Sequence, residues 1–225
     1  MRKNSFIYRL LLMGVFLLFA ISCDKDDDNI DDENNTQETL NFGNFTDPRD
    51  GKVYKTVTLG SQEWMAENLA YEPSSGNYWS YNNDNSNVET YGFLYDWQTA
   101  LAVCPTGWHL PSDEEWTELA KYLGGVFVAG GKLKATGTIE AGTGLWYAPN
   151  TDATNETGFS ALPGGIRVLP DSFYDVGYGG SWWSATEWSI NAAMNWGLAY
   201  NRVILINNGI GSGKALGCSV RCVRD

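Results

Sequence analysis

The chain has one histidine and four cysteines in 225 residues. So small a stock of imidazole and thiolate, with no Cys-x-x-Cys pair, leaves no zinc framework to build. Basic residues are scarce too: 15 Lys and Arg against 27 Asp and Glu give a net charge of −12. Affinity for phosphate backbones comes from Lys and Arg displacing counterions, so nucleic acid is excluded as a partner. The uncharged apolar stretch Leu10–Ile21 is too short to cross a bilayer comfortably as a helix, which takes about 20 residues. What the chain has instead is 25 Gly, 10 Trp and 12 Tyr. Such a composition predicts a loop-rich fold plugged by aromatic rings rather than a helical bundle.

The N-terminus carries an address. Arg2, Lys3 and Arg9 precede the apolar run, Ser22 ends it, and Cys23 is followed at once by Asp24-Lys25-Asp26-Asp27-Asp28. A basic start, a short apolar centre and a small residue before the cut describe an export signal over residues 1–22. A cysteine at the first mature position makes it a bacterial lipoprotein signal, with Cys23 acylated and palmitate among its lipids. Ala20-Ile21-Ser22 also fits ordinary secretory cleavage. The run Lys25–Asp28 resembles the acidic export tag that carries lipoproteins of the Bacteroidetes group to the outside of the outer membrane. Residues 23–44 are read as an acidic, disordered tether, and residues 45–225 as one domain.

Three cysteines remain after Cys23, in an exported chain where pairing is expected. Cys218 and Cys222 lie four apart on one predicted strand, too far along an extended backbone to bridge each other. Either one is a partner for Cys104.

Local patterns predict the elements. Lys52–Leu59 alternates as a strand, Gly60-Ser61 turns it, and Gln62–Met65 returns as its hairpin partner. Asn77–Glu89 reads as a surface excursion, and Asp96–Val103 as a short helix stopped by Cys104-Pro105. Ser112 and Glu115 form a capping box. Trp116, Leu119, Ala120 and Leu123 then make one apolar stripe, closed by Gly124-Gly125. From Gly130 to Gly180 no long periodic segment appears, which for such a length implies a functional loop region. Strands are expected at Ser181–Thr186, Ala193–Tyr200, Arg202–Ile206 and Ser219–Val223. Helices, a loop region and then antiparallel strands define an α+β fold.

Five motifs carry a resemblance: Tyr91-Gly92-Phe93-Leu94-Tyr95-Asp96-Trp97; Cys104-Pro105-Thr106-Gly107-Trp108-His109-Leu110-Pro111-Ser112; Gly158-Phe159-Ser160-Ala161-Leu162-Pro163-Gly164-Gly165; Trp183-Ser184-Ala185-Thr186-Glu187; and Ser219-Val220-Arg221-Cys222-Val223-Arg224-Asp225. Together they resemble the Fibrobacter succinogenes major paralogous domain family, over essentially everything after the tether. The resemblance implies a C-type-lectin-like fold, distantly similar to the formylglycine-generating sulfatase-modifying enzymes. It would place two short helices on a twisted antiparallel sheet with a long irregular loop region. It also selects Cys104–Cys222 as the disulfide and leaves Cys218 over, as a buried small hydrophobe or an intermolecular thiol.

The enzyme relatives need a reactive cysteine pair ahead of the terminal strand, and Trp182–Tyr200 contains no cysteine. No catalytic residue, metal or cofactor is therefore assigned. His109 with Asp113 or Glu114 reads as structure around a helix cap. Gly209–Lys214 lacks the spacing and the Ser or Thr of a phosphate loop. Ala148-Pro149-Asn150 with Asp152 lacks the carboxylates of a calcium-dependent sugar site. Trp108, Trp116, Phe159 and one of Trp182 or Trp183 are expected in the core. Trp146, Tyr147, Tyr174 and Tyr178, in the loop region, are candidate ligand-stacking rings, with Asn150 and Asp152 as polar contacts. The alternative is that these rings plug the loops onto the sheet. The function expected is a non-enzymatic binding or adhesion module with a glycan or surface protein as partner. A structural component of a surface complex and a divergent enzyme are the other readings.

Overall fold

The structure is a computed structural model, and it describes residues 40–225. The signal, Cys23 and most of the tether lie outside the described residues. The sequence boundary at residue 45 falls inside β1 (Asn41–Thr46), which pairs along its length with β2 (Val53–Leu59). The hairpin return is β3 (Gln62–Met65), with the bounds its alternation predicts. The excursion that follows is tied down at both ends. It contains β4 (Tyr78–Trp79), two single turns and the short helix α1 (Val88–Tyr91). Tyr81 within it is buried, edge-on to Phe173 at 5.4 Å.

Next come β5 (Leu94–Tyr95), α2 (Trp97–Val103), β6 (Trp108–His109) and α3 (Asp113–Tyr122). Asp96 caps α2 by accepting from Thr99 N. The capping box at Ser112 and Glu115 starts α3, both of its hydrogen bonds being present. A further helix, α4 (Val126–Leu133), enters the stretch where no periodicity was seen. Its two glycines disguise it, and packing explains them. A Cβ on Gly130 would lie 2.6 Å from Val203 O, and one on Gly131 2.6 Å from Asp152 O.

The remaining strands are β7 (Gly164–Val168), β8 (Ser172–Val176), β9 (Gly179–Ser189), β10 (Ala192–Ala199), β11 (Ile206–Asn207), β12 (Ser212–Gly213), β13 (Cys218–Ser219) and β14 (Val223–Arg224). The strand expected over Arg202–Ile206 is reduced to β11. The terminal strand is split: β13 joins the large sheet and β14 the small one. The small sheet runs β1-β2-β3-β14-β6; the large one runs β11-β10-β9-β13-β5-β4, with β12 added at β10 and the β7–β8 hairpin at β9. Two pairings, β13 with β9 and β7 with β9, are parallel. Among the described residues the fold is α+β, with four α-helices and two sheets rather than two helices on one antiparallel sheet.

Covering both faces of β9 makes two cores. Trp182 packs with Trp64, Trp116, Trp146, Phe159 and Trp196; Trp183 packs with Tyr95, Trp97, Trp108 and Cys222. Adjacent tryptophans do point to opposite faces, as period two requires. Both are nonetheless buried, so the expectation that only one lies in the core is corrected.

Cys104 and Cys222 are bonded, with a sequence separation of 118, and Cys218 is free and buried. Closing so long a loop removes roughly 4–5 kcal/mol of unfolded-state entropy as an upper figure. The bond ties the end of α2 to the segment that stitches the sheets together. Leu69 N donates to Val220 O and Met65 N to Cys222 O along the same seam.

Candidate functional site

Most of the long loop region is bolted down from inside. Lys134 is fully buried, and its Nζ donates to the carbonyls of Thr151 (2.9 Å), Arg202 (2.9 Å) and Ala199 (3.3 Å). Burial pulls its pKa down to about 8, against the charge of Asp152. Trp146 is fully buried beside it, donating Nε1 to Ala161 O at 3.0 Å. Asn150 is buried and spends its Nδ2 on Ala135 O and Gly137 O, 2.9 Å each. Trp146 and Asn150 are therefore parts of the scaffold, not of a ligand surface. The reason is physical: irregular backbone carries unpaired carbonyls, and buried side chains must satisfy them. Asp152 is exposed, a backbone turn residue with φ 51°.

A second buried cation does the same work at the seam. Arg221 is fully buried, with Nε on Asn68 Oδ1 (3.0 Å), one terminal nitrogen on Ser160 O (3.0 Å) and the other on Phe159 O. Asn68 is saturated: Oδ1 also accepts from Trp182 Nε1 at 2.8 Å, while Nδ2 donates to Tyr91 O and Ser219 Oγ.

The rings that remain available lie on the other side of the region. Tyr178 stacks on Tyr147 at 4.2 Å and meets Tyr200 edge-on at 5.3 Å. Tyr174 and Tyr178 are 54% and 46% exposed, whereas Trp146 is 0%. Tyr178 stands at the wall of a groove of about 370 Å³ at the start of β9 and the end of β10. The floor is a strip of small residues, because Gly197 faces Ser181 and Ala199 faces Gly179 across the ladder. A Cβ on Gly197 would meet nothing closer than 3.4 Å, an ordinary contact, so glycine there is not relieving a clash.

Polar groups ring the floor. Asn195 Oδ1 accepts from Ser212 Oγ, which in turn accepts from Asn208 Nδ2. Among the described residues, no hydrogen bond or ion pair engages the Asp175 carboxylate, Ser181 Oγ, Asn195 Nδ2 or Asn208 Oδ1, all on groove-lining residues. Free donors and acceptors beside exposed rings suit a hydroxylated, neutral ligand. Of the six residues expected from sequence, Tyr178 lines this groove, and Tyr147 does not line it but stacks on Tyr178. Tyr174, on β8, is exposed but does not line the groove. Tyr200, Asp175, Ser181, Asn195 and Asn208 were missed. The one local signal was the period-two run of small residues on two neighbouring strands.

The other sequence candidates resolve as structure. His109 Nδ1 meets Asp225 Oδ1 at 2.7 Å and Nε2 meets Glu115 Oε1 at 2.8 Å. Partial burial disfavours the charged ring, but these two carboxylates outweigh it and raise its pKa. Asp113 accepts from Trp196 Nε1 and Asn207 Nδ2. Burial pushes the Cys218 thiol far above its ordinary value, which disfavours its thiolate. Among the described residues, no three His, Cys, Asp or Glu gather to hold a metal, and no helix is long and apolar enough to cross a membrane.

An α+β domain of two stitched sheets, carrying a glycine-floored groove, is the class of protein these features define. The sequence profile of the Fibrobacter succinogenes major domain family matches residues 57–224, and the chain belongs to that family. No curated protein and no solved structure matches it.

Proposed function

We propose that this chain is an outer-membrane lipoprotein, anchored through Cys23 and facing outward, whose lectin-like domain is a non-enzymatic binding or adhesion module for glycans. The groove on β9 and β10 carries the reading. Tyr178 and Tyr200 offer ring faces, and four polar groups unspent within the protein offer hydrogen bonds to hydroxyls. Its volume of about 370 Å³ accommodates a sugar ring or two. Chemistry of the formylglycine-generating kind lacks support, since Cys104 and Cys222 are bonded and Cys218 is sealed in the core.

The purified full chain on a glycan array tests the proposal. Saturable binding that Tyr178→Ala removes is expected. An array with no hit, or a hit indifferent to Tyr178, overturns it. Lipid mass on an N-terminal Cys23 peptide tests the anchor; an unmodified terminus returns the chain to ordinary secretion. A role in assembling a surface complex is favoured by a different observation. Trp188, Ile190 and Ile210 are 55%, 84% and 78% exposed, the first and third drawn together at the β9–β10 tip by contact of Trp188 with Gly211. Self-association of the pure chain, abolished by Ile190→Asp, would support that reading.

A further inference from the structure

A second crevice, of about 360 Å³, opens where the small sheet, α1 and the loop 155–162 meet. Phe42, Lys55, Glu67, Asn68, Glu89 and Ser160 line it. It lies away from the tyrosine groove and shares no residue with it.

Three features set it apart from an accidental gap. The first is charge. Directly behind two of its lining residues, Asn68 and Ser160, sits the buried guanidinium of Arg221. All three of its hydrogen-bond acceptors are neutral, so no carboxylate is bonded to it. Burial pulls its pKa down toward about 9, with Glu67 opposing. Lys52 and Lys55 add two ammonium groups at the rim that make no ion pair among the described residues. Among the described residues that line it, Glu67 and Glu89 carry the carboxylates. Exposed charges at the rim are screened by water and salt, while a fully buried one is screened far less. The two lysines and two glutamates balance at the rim, and the buried guanidinium behind them leaves one positive charge in excess, in a chain whose net charge is −12.

The second feature is strain. Ser160 holds φ 53° and Asn155 φ 48°, left-handed values that non-glycine residues seldom adopt. The Asn155 side chain imposes the conformation: Oδ1 accepts from Ser160 N at 2.8 Å and Nδ2 donates to Ser160 Oγ at 2.9 Å. Strain of this kind persists where surrounding structure over-determines it, and ligand clamps are among the places it collects. The third feature is an apolar wall. Phe42, 58% exposed, lays its ring on Gly158, where a Cβ would fall 2.3 Å from it.

We infer that this crevice is a second binding site, for a small organic anion that presents a carboxylate toward Lys55 and the Arg221 side and an apolar body to Phe42. Phosphate monoesters share the charge but not the apolar body, and they would forgo the Phe42 wall.

Benzoate is the probe, with uncharged benzamide as its near-isostere, titrated into the full chain and followed by backbone amide shifts. Benzoate should give saturable shifts at Phe42, Asn155 and Ser160 with a Kd of about 1 mM, the range expected of a ligand with so few atoms. Benzamide should bind at least tenfold more weakly. Lys55→Glu should weaken benzoate about tenfold, and Phe42→Ala severalfold for both probes. Tyr178→Ala, which disables the tyrosine groove, should change nothing. No saturable shift with benzoate, or equal affinity for benzoate and benzamide, overturns the inference and leaves the glycan reading untouched. Equal benzoate binding by wild type and Lys55→Glu overturns it as well. Because Lys55 is exposed, its replacement does not threaten the fold.

Discussion

The stretches Lys134–Ser160 and Asp171–Tyr178 look alike as sequence: both mix Gly, Asn or Asp with aromatic rings. Their structures are opposite. The first is irregular but closed, with Trp146, Asn150 and Lys134 turned inward and every one engaged by backbone carbonyls. The second belongs to a hairpin and is open, with Tyr174 and Tyr178 about half exposed. Irregular backbone is therefore not the same as loose backbone. A chain that leaves secondary structure must still satisfy its carbonyls, and here buried cations do it.

The sharpest way to break the comparison is to remove a ring from each side. Trp146→Ala should cost about 3–5 kcal/mol in urea unfolding, through lost burial and the cavity left behind. A loss below 1 kcal/mol would place Trp146 with the open half. Arg221→Met comes next, at about 3 kcal/mol: it strands two carbonyls and takes one of two donors from Asn68 Oδ1, while relief of a buried charge offsets part of the loss. Unchanged stability would show that those acceptors find water.

Lys134 is subtler because its effect depends on pH. Its folded pKa, down to about 8, lies below the ordinary lysine value of 10.5. Between those values the unfolded chain holds a proton that the folded chain has released. Its contribution to stability therefore rises with pH across that window and is lost as pH falls through about 8. The stability difference between wild type and Lys134→Met should climb from pH 8 to pH 10; a flat difference would contradict the burial argument. His109 has the opposite sign. Asp225 and Glu115 raise its pKa, so its contribution is full below 6.5 and fades as pH rises through the raised value. His109→Gln should abolish that fading, with the ring titration followed by NMR.

Much of the closed scaffold was legible in the sequence. The β2–β3 hairpin, the Ser112–Glu115 cap and the apolar stripe of α3 each rest on neighbours within a few residues, where pattern is decisive. The disulfide was legible only through resemblance, because spacing left Cys218 and Cys222 equivalent. What failed to show was everything set by distant contacts. Nothing local marks Lys134 or Arg221 as buried, since their partners lie up to 68 and 153 residues away. Trp146 sits among Gly and Tyr and looks like a binding ring. Period two placed Trp182 and Trp183 on opposite faces, but periodicity does not say that both faces are covered. The groove was hidden for the same reason: Asp175, Ser181, Asn195, Tyr200 and Asn208 come from different elements. Only the alternating small residues of β9 and β10 hinted at a bare strip.

The proposal assigns glycan binding to the open half and, within Lys134–Ser160, a supporting role to Trp146, Asn150 and Lys134. The most direct test pairs Tyr178→Ala with Gly197→Leu in one assay of unfolding and glycan binding. Tyr178 is half exposed, so its loss should cost under about 1 kcal/mol of stability. A Cβ at 197 meets ordinary contacts on a backbone outside the left-handed region, so leucine there should extend into the groove without straining the chain. Both variants should melt close to wild type and lose about 2 kcal/mol or more of glycan binding, roughly 30-fold. Wild-type binding by both, or binding lost only as stability is lost, would contradict the account.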